Sequence, residues 1–173
     1  MKKVLLAFCM LLGVLSYAQT PFDKFEKDDK VNSVVVNKKM FDLMAKVKVE
    51  ASDAETKNYL ALIKKLDHLK VFTSKDQNSA KGLLVAAENY LSQRPLEELM
   101  RSTDNGKNVK IYVKSTGVND IITELLMLVE DQNSISNVSI MSLTGNFALS
   151  ELSVLTQKMK LPGSDAINKA SKK

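Results

Sequence analysis

Tryptophan is absent from this sequence, histidine and cysteine occur once each, and only three prolines and six glycines interrupt its 173 residues. Each scarcity removes a class of chemistry. The one cysteine, Cys9, lies in what reads as a secretory leader. Lys2 and Lys3 form its basic start, Val4 to Leu15 its apolar run, and Ser16-Tyr17-Ala18 its peptidase site. Cleavage near Ala18 leaves a cysteine-free mature chain, which excludes disulfides, thiol catalysis and thiolate metal sites. Phe8 precedes Cys9 and the apolar run continues past it, which argues against lipidation. The run is about a dozen residues against the ~20 that span a bilayer, so no transmembrane anchor is expected in the mature chain. The expected location is exported, either periplasmic or secreted.

The lone histidine, His68, is flanked by Asp67. Neighbours in a strand point to opposite faces, so the pair does not converge on a metal or a proton. Glu97 and Glu98 diverge for the same reason. There is no G-x-G-x-x-G, P-loop, H-E-x-x-H, calcium loop or G-x-S-x-G turn. No catalytic, cofactor-binding or metal-binding residue is therefore assigned, and no cofactor is expected. Aromatics make up 6% of the chain. Tyr59, Tyr90, Tyr112, Phe41 and Phe72 are scattered at core or rim spacing and form no stacking platform for nucleic acid. The formal charge of +5 falls to +3 without Lys2 and Lys3, and Lys169, Lys172 and Lys173 of the tail hold the rest. A near-neutral body offers no basic groove for nucleic acid or anionic lipid.

What the chain has in quantity is aliphatic side chains, enough for one domain with a real core. Between Leu96 and Phe147, four runs rich in Val, Ile, Leu and Met are separated by turn-forming polar stretches. The predicted fold is α+β: an antiparallel four-stranded meander extended by two strands from β-α-β crossovers, with helices packed mainly on one face. The predicted organisation is a signal peptide over 1–18, a flexible lead-in over 19–30, a single domain over 31–161 and a disordered basic tail over 162–173.

The extra strands are Val31 to Asn37 and His68 to Thr73. Asn37, the capping box Ser52-x-x-Glu55, and Ser74 or Asp76 open three helices, the third of which Pro95 ends. Gly145-Asn146 turns the chain into a last amphipathic helix that Pro162-Gly163 stops. Met40, Met44, Met100, Met127, Met141 and Met159 sit at core spacing.

A two-residue turn at Asn105-Gly106 sets Met100 opposite Ile111, Arg101 opposite Lys110 and Glu97 opposite Lys114. A loop centred on Gly117 sets Lys114 beside Asp120, Tyr112 beside Ile122 and Lys110 beside Glu124. Met100, Val109, Ile111, Val113, Ile121, Leu125, Met127 and Val129 then share the core face. The other face holds Glu97, Arg101, Lys110, Tyr112, Lys114, Asp120 and Glu124, and there Ile122, Leu126 and Leu128 surround Glu124. That apolar cluster on a salt-bridged face makes Ile122, Glu124, Leu126 and Leu128 the expected interaction surface.

The order of the leader, Lys38-Lys39-Met40-Phe41-Asp42-Leu43-Met44, Leu69-Lys70-Val71-Phe72, Leu96-Glu97-Glu98-Leu99-Met100, Lys110-Ile111-Tyr112-Val113-Lys114, Ile122-Thr123-Glu124-Leu125-Leu126 and Leu143-Thr144-Gly145-Asn146-Phe147 resembles the domain-of-unknown-function 4252 family of exported Bacteroidetes proteins. The resemblance implies an envelope or secreted location and an α+β fold; it supplies no activity and no functional residues. The expected function is a non-catalytic accessory or binding protein of the bacterial envelope, which contacts an envelope protein or itself. The alternative is a carrier of a small apolar, lipid-like ligand held between helices and sheet.

Overall fold

The computed structural model describes residues 20–46, 54–104, 106–117, 121–134, 136–160, 162, 165 and 167. The expected leader and Ser52 of the expected capping box lie outside them. Six strands form one antiparallel sheet: β1 (Val31–Asn37), β2 (Leu66–Ser74), β3 (Glu97–Asp104), β4 (Lys107–Ser115), β5 (Ile121–Asp131) and β6 (Val138–Ala148). Their order across the sheet is β1-β2-β6-β5-β4-β3. Among the described residues, the helices with defined bounds are α1 (Lys38–Lys46), α2 (Ala54–Ile63), α3 (Gln77–Gln93) and α4 (Leu152–Lys158). The fold is thus α+β.

Local chemistry starts the helices. The Asn37 side chain accepts from the Met40 N–H at 3.0 Å, and the Asp76 carboxylate accepts from those of Asn78 and Ser79. These acceptors satisfy amides that have no partner within a first helical turn. The α1 and α2 helices connect β1 to its antiparallel neighbour β2, so that link is not a crossover. The α3 helix instead carries the chain from β2 to β3 at the far edge.

Alternation along the strands gives the sheet two apolar faces. Leu69, Val71, Ile111, Leu125, Met127, Met141 and Leu143 share one with Phe41 of α1, Leu62 and Ile63 of α2, and Leu152 and Leu155 of α4. On the opposite face, Phe72, Leu126, Leu128, Val138 and Ile140 pack under Ala80, Leu83, Ala87 and Tyr90 of α3. Three helices cover one side and a single long helix the other.

Four expectations are corrected. The 19–30 segment is no flexible lead-in: Asp23–Lys27 forms a 3-10 turn, and Phe22 and Phe25 are buried beneath it. Lys70 reaches up from the sheet to Asp23 at 2.5 Å and Glu26 at 3.0 Å, so the charges there are tethers. The tail is not free throughout, because Ile167 is helical and fully buried in the first core. Gly145-Asn146 does not turn the chain; both lie within β6. Finally, β5 sits four residues from its expected register, with Lys114 opposite Glu124, Tyr112 opposite Leu126 and Lys110 opposite Leu128. The loop after Ser115 is longer than one centred on Gly117, with the Thr116 N–H reaching the Ile121 carbonyl. An even shift leaves Glu124 to Val129 on their expected faces, while Ile122, beyond a bulge, changes face.

The tether predicts how the N-terminal turn responds to acid. Burial opposes ionisation of Asp23, but hydrogen bonds from Lys70 and Thr20 and the Lys70 charge outweigh it and hold the carboxyl below its usual value. A depressed carboxyl stabilises the fold above its unfolded value of about 3.9 and loses that contribution as pH falls through the folded one. Amide exchange over residues 22–28 is expected to accelerate below about pH 4 before the sheet opens. Asp23→Asn should show the faster exchange already at neutral pH.

Candidate functional site

The expected interaction surface is internal. Leu126 is fully buried, Leu128, Ile122 and Glu124 are 7%, 4% and 5% exposed, and α3 lies over Leu126 and Leu128. The four residues do not even share a face. A bulge between Ile122 and Glu124 sends Ile122 to the opposite core, where it packs with Leu125 and Phe147. The apolar cluster therefore belongs to a second core, a correction that follows from placing α3 on this side.

Glu124 remains the most unusual carboxylate. It stands on β5 opposite Lys114 and Thr144 and points toward the last turn of α3. Tyr90 donates its hydroxyl to Oε1, and Arg94 Nη1 lies 3.4 Å from Oε2. The Arg94 guanidinium also stacks 5.0 Å from the centre of the Tyr90 ring, and Phe22 packs on that ring at 5.3 Å. Lys110, its expected partner, pairs with Glu130 at 3.1 Å. Tyr90 and Arg94 are missed by strand-based reasoning. The signal was the spacing Ala80, Leu83, Ala87, Tyr90, which puts a phenol on a buried helix face where it requires an acceptor.

This cluster locks α3 to the sheet. Burial, followed by the Glu124 hydrogen bond and charge, pushes the Tyr90 phenol well above its ordinary value of about 10, against weaker opposing effects of Arg94 and Ser142. The phenol stays protonated and donates, and the carboxylate is spent as its acceptor. Tyr90→Phe is expected to cost about 2 kcal/mol in urea unfolding, the size of a lost hydrogen bond to a charged group. A raised phenol stabilises the fold fully below the unfolded value and loses that contribution as pH climbs above about 10. Tyr90→Phe should therefore be the less stable form at pH 7 and flatten the alkaline limb of the stability curve. Adding Glu124→Leu should recover most of the loss, since no acceptor is then stranded.

His68 is exposed on β2 opposite Asn37 and Thr144, and Asp67 lies 4.0 Å from Lys38. No group of three or more His, Cys, Asp or Glu among the described residues is arranged to hold a metal ion. Two open clefts are lined by polar side chains: Asn108, Glu130, Asp131 and Gln132 in one, Asn58, Ser150 and Glu151 in the other. Of the methionines, Met127 and Met141 are fully buried, Met44, Met100 and Met159 border the core, and Met40 is half exposed.

Exposed apolar surface lies at a different place from that expected. Val34 and Val35 in the middle of β1 are 48% and 45% exposed, and Met40 and Leu43 of the adjoining α1 are 51% and 53% exposed. β1 is an edge strand, its outer backbone groups unpaired within the sheet. Its seven residues, Val-Asn-Ser-Val-Val-Val-Asn, contain no charge and no proline, and they pair with β2 without a bulge. The other edge, β3, carries Glu97, Glu98 and Arg101, an ion pair between Glu98 and Arg101 at 2.7 Å, and a bulge at Leu99. Charge and bulging are how sheet edges resist further pairing. Among the described residues, one edge of this sheet is defended and the other is open.

No helix among the described residues is long and apolar enough to cross a membrane. No curated protein and no solved structure matches the chain. A match to the domain of unknown function DUF4252 spans residues 25–155, from the buried N-terminal turn to α4, and the chain belongs to that family.

Proposed function

We propose that this is an exported, non-catalytic binding protein of the bacterial envelope that docks another polypeptide along the open β1 edge. The observation that carries the reading is the undefended edge itself: an unbulged, charge-free strand with Val34 and Val35 half exposed. Such an edge offers main-chain hydrogen bonds to an added strand and alternate side chains to select it. A non-catalytic role is supported by the engagement of Glu124 with Tyr90 and Arg94 and by the exposed position of His68. The lipid-carrier alternative gains nothing from the helix–sheet layers, where Phe41, Leu62, Ile63, Leu125 and Phe147 are fully buried.

Photo-crosslinking amino acids placed at position 35 and, separately, at position 99 in producing cells test the reading. Discrete polypeptide adducts from position 35 but not from position 99 are expected. An absence of adducts from position 35 would overturn docking at this edge. The exported form should begin at Gln19 by mass spectrometry, and a periplasmic or released protein that retains Met1 would overturn the leader.

A further inference from the structure

We propose that the N-terminal turn, Phe22 to Asp28, is a clasp that holds β1 in place and thereby controls whether the open edge can receive a strand. The proposal rests on the docking reading above and concerns the regulation of that same edge. Among the described residues β1 pairs only with β2, and just two of its seven side chains are buried, Val31 at its start and Val36 at its end. The four residues between them are exposed. Val36 belongs to the first core together with Phe41 of α1, whereas Val31 belongs to the second core together with Phe22 and Phe25. The edge strand is thus anchored at its two ends by different neighbours, and the anchor at its start is the turn.

Asp28 makes the connection. Its carbonyl accepts from the Val31 N–H at 2.9 Å, and its carboxylate accepts from the Lys30 N–H and from the Ser79 hydroxyl of α3, each at 2.9 Å. Ser74 of β2 donates its hydroxyl to the Lys30 carbonyl at 2.9 Å. The turn, the first residue of β1 and the first turn of α3 therefore meet at one side chain.

The turn is seated by side chains. Among the described residues, the backbone-to-backbone hydrogen bonds of residues 20–30 all end within 20–31, and none reaches α3 or the sheet beyond Val31. Phe22, Phe25 and the Lys70 tether hold it down instead. The seat of Phe25 is a notch in α3: a Cβ on Gly82 would lie 3.2 Å from Cε1 of the ring. Glycine weakens a helix interior relative to alanine, and at this position it makes room for the ring. A turn held in this way leaves as a unit without breaking a strand ladder. Its departure strips Val31 of its aromatic neighbours and leaves β1 anchored at Val36 alone. A frayed strand offers no fixed row of amides and carbonyls to an added one, so seating of the clasp and docking at the edge are linked, and the linkage is reciprocal.

Native-state amide exchange and crosslinking from position 35 test the proposal together. Phe25→Ala should speed exchange of the β1 amides that bond β2 by about tenfold or more. Ser79→Ala, which removes one tether and no aromatic ring, should act in the same direction. Ile111→Val, on β4 at a distance from the clasp, should speed exchange in β4 and β5 and leave β1 alone. Gly82→Ala should stabilise Phe25→Ala more than it stabilises the unsubstituted protein, because the notch then has no ring to hold. Adducts per molecule from position 35 should fall about fivefold or more in Phe25→Ala. Rates in β1 that neither clasp variant moves, or that Ile111→Val moves as far, overturn the clasp, as does an equal effect of Gly82→Ala in the two backgrounds. Faster β1 exchange with undiminished adducts overturns its control of docking. If the unsubstituted protein gives no adducts from position 35, the docking reading falls and control of docking falls with it, while exchange still decides the clasp.

Discussion

Phe22→Ala is expected to lower stability by about 3–5 kcal/mol, the cost of removing a buried aromatic ring and leaving its cavity. The ring is fully buried, lies 6.0 Å from Phe72 of β2 and packs against Tyr90 of α3, so it joins the N-terminal turn to both layers of the second core. A falling urea midpoint with an unchanged slope is the expected readout. A change below about 0.5 kcal/mol, the usual range for a surface substitution, would mean that residues 20–30 contribute nothing to the fold.

Gly145→Ala should come next, at roughly 2–4 kcal/mol from backbone strain plus overpacking, which lowers Tm by about 10 °C for a domain of this size. Gly145 sits within β6 at φ +155°, a conformation that residues with a side chain rarely adopt. A Cβ there would fall 2.4 Å from the Lys65 carbonyl oxygen and 2.8 Å from the Leu66 Cα. Neither is the mobile end of a side chain. The Asn146 N–H donates to that same carbonyl at 2.9 Å, which pins the two segments together. Gly117→Ala is the control: φ is +71° but nothing lies within 4 Å, so conformational strain of about 1 kcal/mol is all that should appear. Equal losses at the two positions would show that crowding at Gly145 is not the cause.

The strands were legible where alternation and turn chemistry agreed. The Val31–Asn37 strand, the Asn37 and Asp76 caps, and the pairing of Met100 with Ile111 and Arg101 with Lys110 all follow from residue types and spacing. Pairing at the start of β3 did not: Glu97 faces Val113, because a bulge at Leu99 has no mark in the sequence. The same is true of the bulge that sends Ile122 to the other core.

The candidate site was less legible for a different reason. The run Leu126, Leu128 reads as exposed only if α3 is placed with the other helices, and nothing in the α3 sequence states which side of the sheet it takes. Two buried aromatics in a charged segment, Phe22 and Phe25, were the available hint that something lay against that face. The open edge was hidden as well, since a β-branched run looks the same at the margin of a sheet as at its centre. Position in the strand order, set by where β6 inserts, decided it.

That insertion has a temporal consequence. β6 is the last strand to be synthesised, yet it stands between β2 and β5 and joins the two parts of the sheet. A chain that emerges in order from its N-terminus therefore holds a β1-β2 pair and a β3-β4-β5 ribbon with no bond between them until the segment from Val138 arrives. Pairing β2 with β6 closes a loop of more than sixty residues, the slow kind of contact in which chain entropy is lost before any bond is gained. Any product truncated before Val138 would present the raw margins of β2 and β5 to its surroundings in addition to the β1 edge, whereas the finished sheet covers both with β6.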